Sequence, residues 1–171
     1  ASSALDRSTD STSNFIRNRL TSLTASPNDA NLNSGTDYSL TLTGGNITFE
    51  NNITYLTPET LCTVNQPLGH VTGTRSVSGN FTCYLNGAAN GSADLFEDII
   101  EAGQLVTNSV ALTFSIGGGS APNVVISLPQ CHLEVPTHSI EDVISLDTTF
   151  HALPSTVSDT DEATIAYTGT V

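Results

Sequence analysis

The sequence predicts an all-β fold, a sandwich or barrel, with one flanking α-helix. Three observations carry this. Segments in which apolar and polar side chains alternate recur along the chain, and a period of two puts the apolar groups on one face of a sheet. One segment, residues 92–103, repeats its apolar residues at helical spacing instead. Ser and Thr make up roughly a quarter of the 171 residues, a composition that suits strands and turns. Helices do not alternate with strands, which argues against a parallel α/β arrangement.

In chain order, residues 1–12 are polar. Residues 13–23 read as a short helix or an extended arm, with Ser13 as N-cap and Phe15, Ile16 and Leu20 on one side. Residues 24–37 are rich in turn formers. Residues 1–37 are therefore expected to form an arm, and residues 38–171 a single sandwich or barrel domain. Tyr38, Leu40 and Leu42 alternate, and Gly44-Gly45 predicts a tight turn. Ile47 and Phe49 continue the pattern, a turn is expected at 50–52, and Ile53 and Tyr55 follow. Pro58 and Pro67 mark a long loop over residues 57–69.

Residues 70–85 alternate as one long strand. Val71, Val77, Phe81, Cys83 and Leu85 fall on one face, and Thr72, Thr74, Ser76, Ser78, Asn80 and Thr82 on the other. At ~3.3 Å per residue the run spans roughly 50 Å, against a usual strand of ~5–6 residues. Such a strand is expected to act outside its own core, by pairing with a neighbour's sheet edge or by lining a channel. Arg75 falls on the apolar face and needs a carboxylate, either across a subunit boundary or within the chain. Arg75, Ser76, Ser78, Asn80 and Thr82 are the candidate inter-subunit contacts.

The predicted helix near 92–103 has Ser92 as N-cap, Asp94 just inside, Leu95, Phe96, Ile99 and Ile100 on one side, and Gly103 as its stop. Residues 110–116 alternate through Val110, Leu112, Phe114 and Ile116. Residues 123–128 and 131–135 form a further strand, interrupted near Pro129 by a bulge or at an edge. Ile144, Leu146, Phe150 and Ala152 pattern residues 142–153, and Ile165 and Tyr167 the last strand.

Charge narrows the function. The net charge is −13, Lys is absent, and the basic residues are Arg7, Arg17, Arg19 and Arg75. Such a surface repels nucleic acid and anionic membrane. No apolar run approaches the ~20 residues that span a bilayer. Cys62, Cys83 and Cys131 are widely spaced, without the pairing of a disulfide framework or a zinc site. The sequence has no phosphate-binding or nucleophile-elbow motif. His132 and Glu134 share a strand face near His138, Glu141 and Asp142, and Asp147 with His151 could exchange a proton, but no nucleophile accompanies them. No catalytic, metal or cofactor residue is assigned. Four N-x-S/T sequons, at Asn46, Asn52, Asn80 and Asn90, are no more than an Asn- and Thr-rich chain yields by chance.

The succession VTGTRSVSGNFTCYLN, SADLFEDIIEAGQ, VALTFSIGG…PNVVISLP and QCHLEVPTHSIEDVISLDTTFHALPS resembles the tail tube (major tail) proteins of tailed bacteriophages. The resemblance covers residues 70–155. It implies the tail-tube type of β-sandwich or barrel, a structural rather than enzymatic role, and self-assembly into hexameric rings stacked as a conduit for DNA ejection. It also implies contact with other tail proteins, passage of DNA without specific binding, and a place in the virion tail after assembly in the host cytoplasm. Six copies would carry a formal charge of about −78 per ring, which lets phosphate pass without trapping it. The competing readings are a carbohydrate-binding or adhesin-like sandwich, or another virion protein such as a tail terminator or a decoration or sheath-like protein. The absence of Trp leaves little for sugar stacking.

Overall fold

The computed structural model describes residues 16, 18, 21–29, 32–56, 69–101, 110–140, 143–156 and 158–169. The elements are β1 (Ser22–Pro27), β2 (Tyr38–Leu40), β3 (Leu42–Glu50), β4 (Ile53–Leu56), β5 (Gly69–Thr72), β6 (Ser76–Tyr84), α1 (Ser92–Glu101), β7 (Val110–Ile116), β8 (Asn123–Leu133), β9 (Thr137–Ile140), β10 (Ile144–Leu153) and β11 (Thr164–Thr168). Nine strands form one antiparallel sheet in the order β2-β1-β7-β8-β10-β6-β3, with β11 beside β8 and β9 beside β10. β4 and β5 pair separately as a two-stranded hairpin.

The two ends of that order, β2 and β3, are separated in sequence by Thr41 alone. The sheet must therefore curl until its ends meet, and its inner face encloses the core. Tyr38, Phe81, Leu112, Leu128 and Phe150 are fully buried there. Phe150 lies between Phe81 and Phe114, with ring centroids 6.3 and 5.9 Å away. Helix α1 lays Leu95 and Phe96 against this core and leaves Ile100 exposed. The Tyr38 hydroxyl donates to Asp98 Oδ2 at 2.5 Å, pinning the helix to β2.

Several sequence expectations are corrected. Residues 70–85 are not one strand. β5 ends at Thr72 and β6 begins at Ser76, and the two belong to different sheets. The break is held by Asn52, whose carbonyl accepts from the Gly73 N–H at 2.9 Å while its side chain donates to the Thr74 carbonyl at 2.8 Å. β6 also cannot extend its sheet into a neighbour by edge pairing, because β3 and β10 occupy both of its edges.

Residues 22–27, placed in the arm, form β1 between β2 and β7, with Leu23 and Ala25 buried. The short helix or extended arm expected over residues 13–23 does not include Ser22 and Leu23, which belong to β1; residues 1–15, 17, 19 and 20 lie outside the described residues. Gly44-Gly45 is not a turn but part of β3. A Cβ on Gly45 would sit 2.6 Å from the Asn80 carbonyl oxygen, so glycine permits the close approach of β6.

Ser92 does not cap α1. Its hydroxyl accepts from the Asn86 N–H and donates to the Tyr84 carbonyl, each at 2.8 Å, tying the end of β6 to the helix. The expected stop at Gly103 lies outside the described residues. Pro129 sits inside the continuous strand β8, where β11 pairs with Asn123–Ser127 and β10 with Gln130–Leu133. The residue lacking an N–H stands at the exchange of partners, and the register with β7 shifts there.

Candidate functional site

With Val77, Phe81 and Cys83 of β6 and Phe150 and Ala152 of β10 turned inward, alternation sends the intervening side chains outward. Register aligns them in rows across the strands. Thr48, Ser78, His151 and His132 form one row, Asn46, Asn80 and Thr149 the next, and Gly44, Thr82, Asp147 and Thr137 a third. The result is a broad face of hydroxyls, amides, imidazoles and a few carboxylates. Asn46 Oδ1 accepts from the Asn80 N–H and the Thr82 hydroxyl donates to Asp147 Oδ1, each at 3.3 Å. Glu134 Oε1 lies 3.6 Å from His151 Nε2.

This face gathers four of the sequence-predicted contact residues, Ser76, Ser78, Asn80 and Thr82, on β6. Arg75 stands just before the strand and meets its carboxylate within the chain: the guanidinium is paired with Glu162 and donates to the Thr160 carbonyl. His132 and Glu134 do share an outward face, and register adds His151. His138 lies on β9 opposite Leu146, while Glu141 and Asp142 fall outside the described residues. Among the described residues no three His, Cys, Asp or Glu side chains are grouped to hold a metal ion. Asp147 bonds to Thr82 and His151 approaches Glu134, so the two do not form the pair that their spacing suggested. The thiols of Cys83 and Cys131 are core groups, pushed by burial to about 11 and about 12.

Two further features went unread in the sequence. Hairpin β4–β5 continues from the Glu50 and Ser76 ends of β3 and β6, and every residue of its two strands is exposed, including Ile53, Tyr55, Leu56 and Val71. The second is a cleft of about 500 Å³ between β3 and the β7–β8 pair, walled by Leu42, Ile47, Phe49, Phe114, Ile116 and Ile126. The signal that could have flagged the hairpin is an uncharged, apolar pair of segments in a strongly acidic chain.

The chain is 33% identical over 156 residues, 90% of its length, to the tail tube protein pb6 of Escherichia phage T5. The chain resembles phage tail tube proteins in sequence and in fold. It spans about a third of that relative's length, 32%. Among solved structures, the SPP1 tail tube aligns over 82% of this chain and 77% of its own at 13% identity, with a TM-score of 0.58. The tail of an empty gene transfer agent particle, refined with C6 symmetry, aligns over 88% of this chain and 95% of its own at 15% identity, with a TM-score of 0.50. At those identities the structural likeness establishes the tail tube fold alone. No protein-family model matches the chain.

Proposed function

We propose that the protein is a tail tube subunit, a non-enzymatic component of a virion tail whose copies form six-membered rings that stack into a conduit for DNA ejection. The observation that carries this reading is the wide polar face of β3, β6 and β10 on a curled all-β fold that matches tail tube proteins. Hydroxyls and amides hydrate well, and the face holds carboxylates but no Lys or Arg among the described residues, so a passing phosphate backbone finds nothing to hold it. In this reading Ser78, Asn80 and Thr82 face the channel. Arg75 and Ser76, at the end of β6, meet the neighbouring copy. The subunit also contacts other tail proteins and assembles in the host cytoplasm. Strand β3 pairs only with β6 among the described residues, which leaves its other edge available for a second copy.

Negative-stain microscopy of the purified protein tests the reading. The expected result is rings or tubes with a hollow axis. Monomer alone at high concentration, with no association with virion particles, overturns it.

A further inference from the structure

We propose that Asn86 is a self-modifying site: its side-chain amide closes onto the Gly87 nitrogen, releases ammonia, and opens with water to a mixture of aspartate and isoaspartate. The chemistry does not depend on whether copies of the chain build a tube.

The chain has two Asn-Gly pairs, Asn86-Gly87 and Asn90-Gly91, both in the turn between β6 and α1. Glycine favours ring closure by a preceding asparagine, because no Cβ shields its nitrogen and its backbone moves freely. The sequence ranks the two pairs equally. The fold separates them.

At Asn86 the reacting groups are held together. The Ala88 N–H donates to Asn86 Oδ1 at 3.0 Å, a bond that bends the side chain back over its own peptide and brings Cγ toward the Gly87 nitrogen. The same hydrogen bond draws electrons from Cγ. The main chain of Asn86 is fixed as well: its N–H donates to Ser92 Oγ at 2.8 Å, and its carbonyl accepts from the Ala93 N–H at 3.1 Å. Holding two groups in place removes much of the barrier to a ring closure. Gly87 is open to water and hydroxide, and its N–H donates to nothing among the described residues.

At Asn90 the same dipeptide is locked. The Gly91 N–H donates to the Ala88 carbonyl at 2.9 Å, which retains the proton that must leave. Asn90 Oδ1 accepts from Asn33 Nδ2 at 2.9 Å, and the Asn90 carbonyl accepts from the Ser39 N–H at 2.8 Å. Gly91 is buried.

Hydroxide takes the Gly87 amide proton, the nitrogen bonds to Asn86 Cγ, and Nδ2 leaves as ammonia, giving a cyclic imide. Water then opens the imide. Cleavage of the bond from nitrogen to Cγ leaves aspartate in an ordinary backbone. Cleavage of the bond from nitrogen to the main-chain carbonyl carbon leaves isoaspartate, with the chain rerouted through Cγ. One water is consumed, one ammonia is released, and nothing is oxidised or reduced. Rerouting takes the Asn86 carbonyl out of the chain and so loosens the tie between β6 and α1.

The test holds the purified protein for days at mildly alkaline pH, in buffer and in concentrated denaturant. Peptide mass spectrometry reads Asn86 and Asn90 separately, and an isoaspartate-specific methyltransferase assay reports the rearranged product. In buffer, conversion at Asn86 is expected to be at least about tenfold faster than at Asn90, and in denaturant the two rates are expected to converge. Gly87→Ala places its Cβ in open space and outside the left-handed region, so the variant folds as before. It is expected to slow conversion at Asn86 by about tenfold. An Asn86 that reacts in denaturant but stays intact in buffer overturns the proposal. Equal rates at Asn86 and Asn90 in buffer, or an unchanged Asn86 rate in Gly87→Ala, overturn it too.

Discussion

Arg75 is ion-paired with Glu162 and donates a second hydrogen bond to the Thr160 carbonyl at 2.7 Å, joining the entry of β6 to the segment that leads into β11. The pair is partly exposed, with 40% of the arginine side chain and 14% of the Glu162 side chain accessible. Exposed pairs contribute about 0–1 kcal/mol. Arg75→Ala is therefore expected to shift the denaturant midpoint by little, while its place at the end of β6 predicts a lower yield of rings in microscopy. Rings at full yield would remove Arg75 from the contact between copies.

Gly79 is held between β3 and the core. A Cβ there would lie 2.1 Å from the Asn46 carbonyl oxygen and 2.7 Å from Phe150 Cζ. Neither neighbour is the end of a flexible chain, so β3 or the aromatic cluster must shift. Gly79→Ala is expected to destabilise the fold by about 1–3 kcal/mol, read by chemical denaturation. The same change at Gly44, whose Cβ would meet open space, is the mild control.

Thr148 is fully buried on the inner face of β10, and its hydroxyl finds no hydrogen-bond partner among the described residues. Burying a hydroxyl unpaired costs about 1–3 kcal/mol. Thr148→Val keeps the branched shape and removes the oxygen, so it is expected to raise stability by about 1 kcal/mol. A lower melting temperature for this variant would mean that the hydroxyl is satisfied in solution.

Alkaline pH is expected to weaken the fold. Burial raises the thiols of Cys83 and Cys131 to about 11 and about 12, and burial together with the Asp98 carboxylate raises the Tyr38 hydroxyl above its ordinary value. The unfolded chain therefore loses these protons at a lower pH than the folded one. Their stabilisation is complete below the unfolded thiol value of about 8.5 and declines as pH rises toward the folded values. Melting temperatures measured across this range should fall. Cys131→Val should make the fall shallower, and an equal slope in that variant would assign it to other groups.

Tyr38→Phe removes the hydrogen bond to Asp98 and leaves the ring in place. Hydrogen bonds to charged groups contribute about 1.5–3 kcal/mol. The expected loss lies near the lower end, because Asp98 at the helix surface can recover water. Amide hydrogen exchange should quicken in α1 before it does in β7 or β10.

Alternation carries a residue's face but not its partner. Val77, Phe81 and Cys83 inward with Ser78, Asn80 and Thr82 outward follow from the period of two in the sequence alone, and so do the inward sets of β7 and β10. The helix at Ser92–Glu101 is likewise legible, because its apolar spacing is local. The polar face could be read in advance for β6, but its width across β3, β10 and β8 depends on register, which no single segment encodes.

What only the tertiary structure decided has one physical source: hydrogen bonds between segments far apart in the chain. An unbroken alternation through residues 70–85 cannot reveal that Asn52 captures Gly73 and Thr74 and hands β5 to a different sheet. A glycine pair reads as a turn until Asn80 is seen packed against Gly45. Leu23 and Ala25 look too sparse for a core strand until β2 and β7 flank them. The sequence by itself determined the all-β class, the single helix, the inward residues of the main strands and the acidic, lysine-free surface. The curl of the sheet that brings its ends together at Thr41, the projecting hairpin and the cleft arose from long-range pairing, because backbone groups are satisfied by whichever distant strand the fold brings beside them.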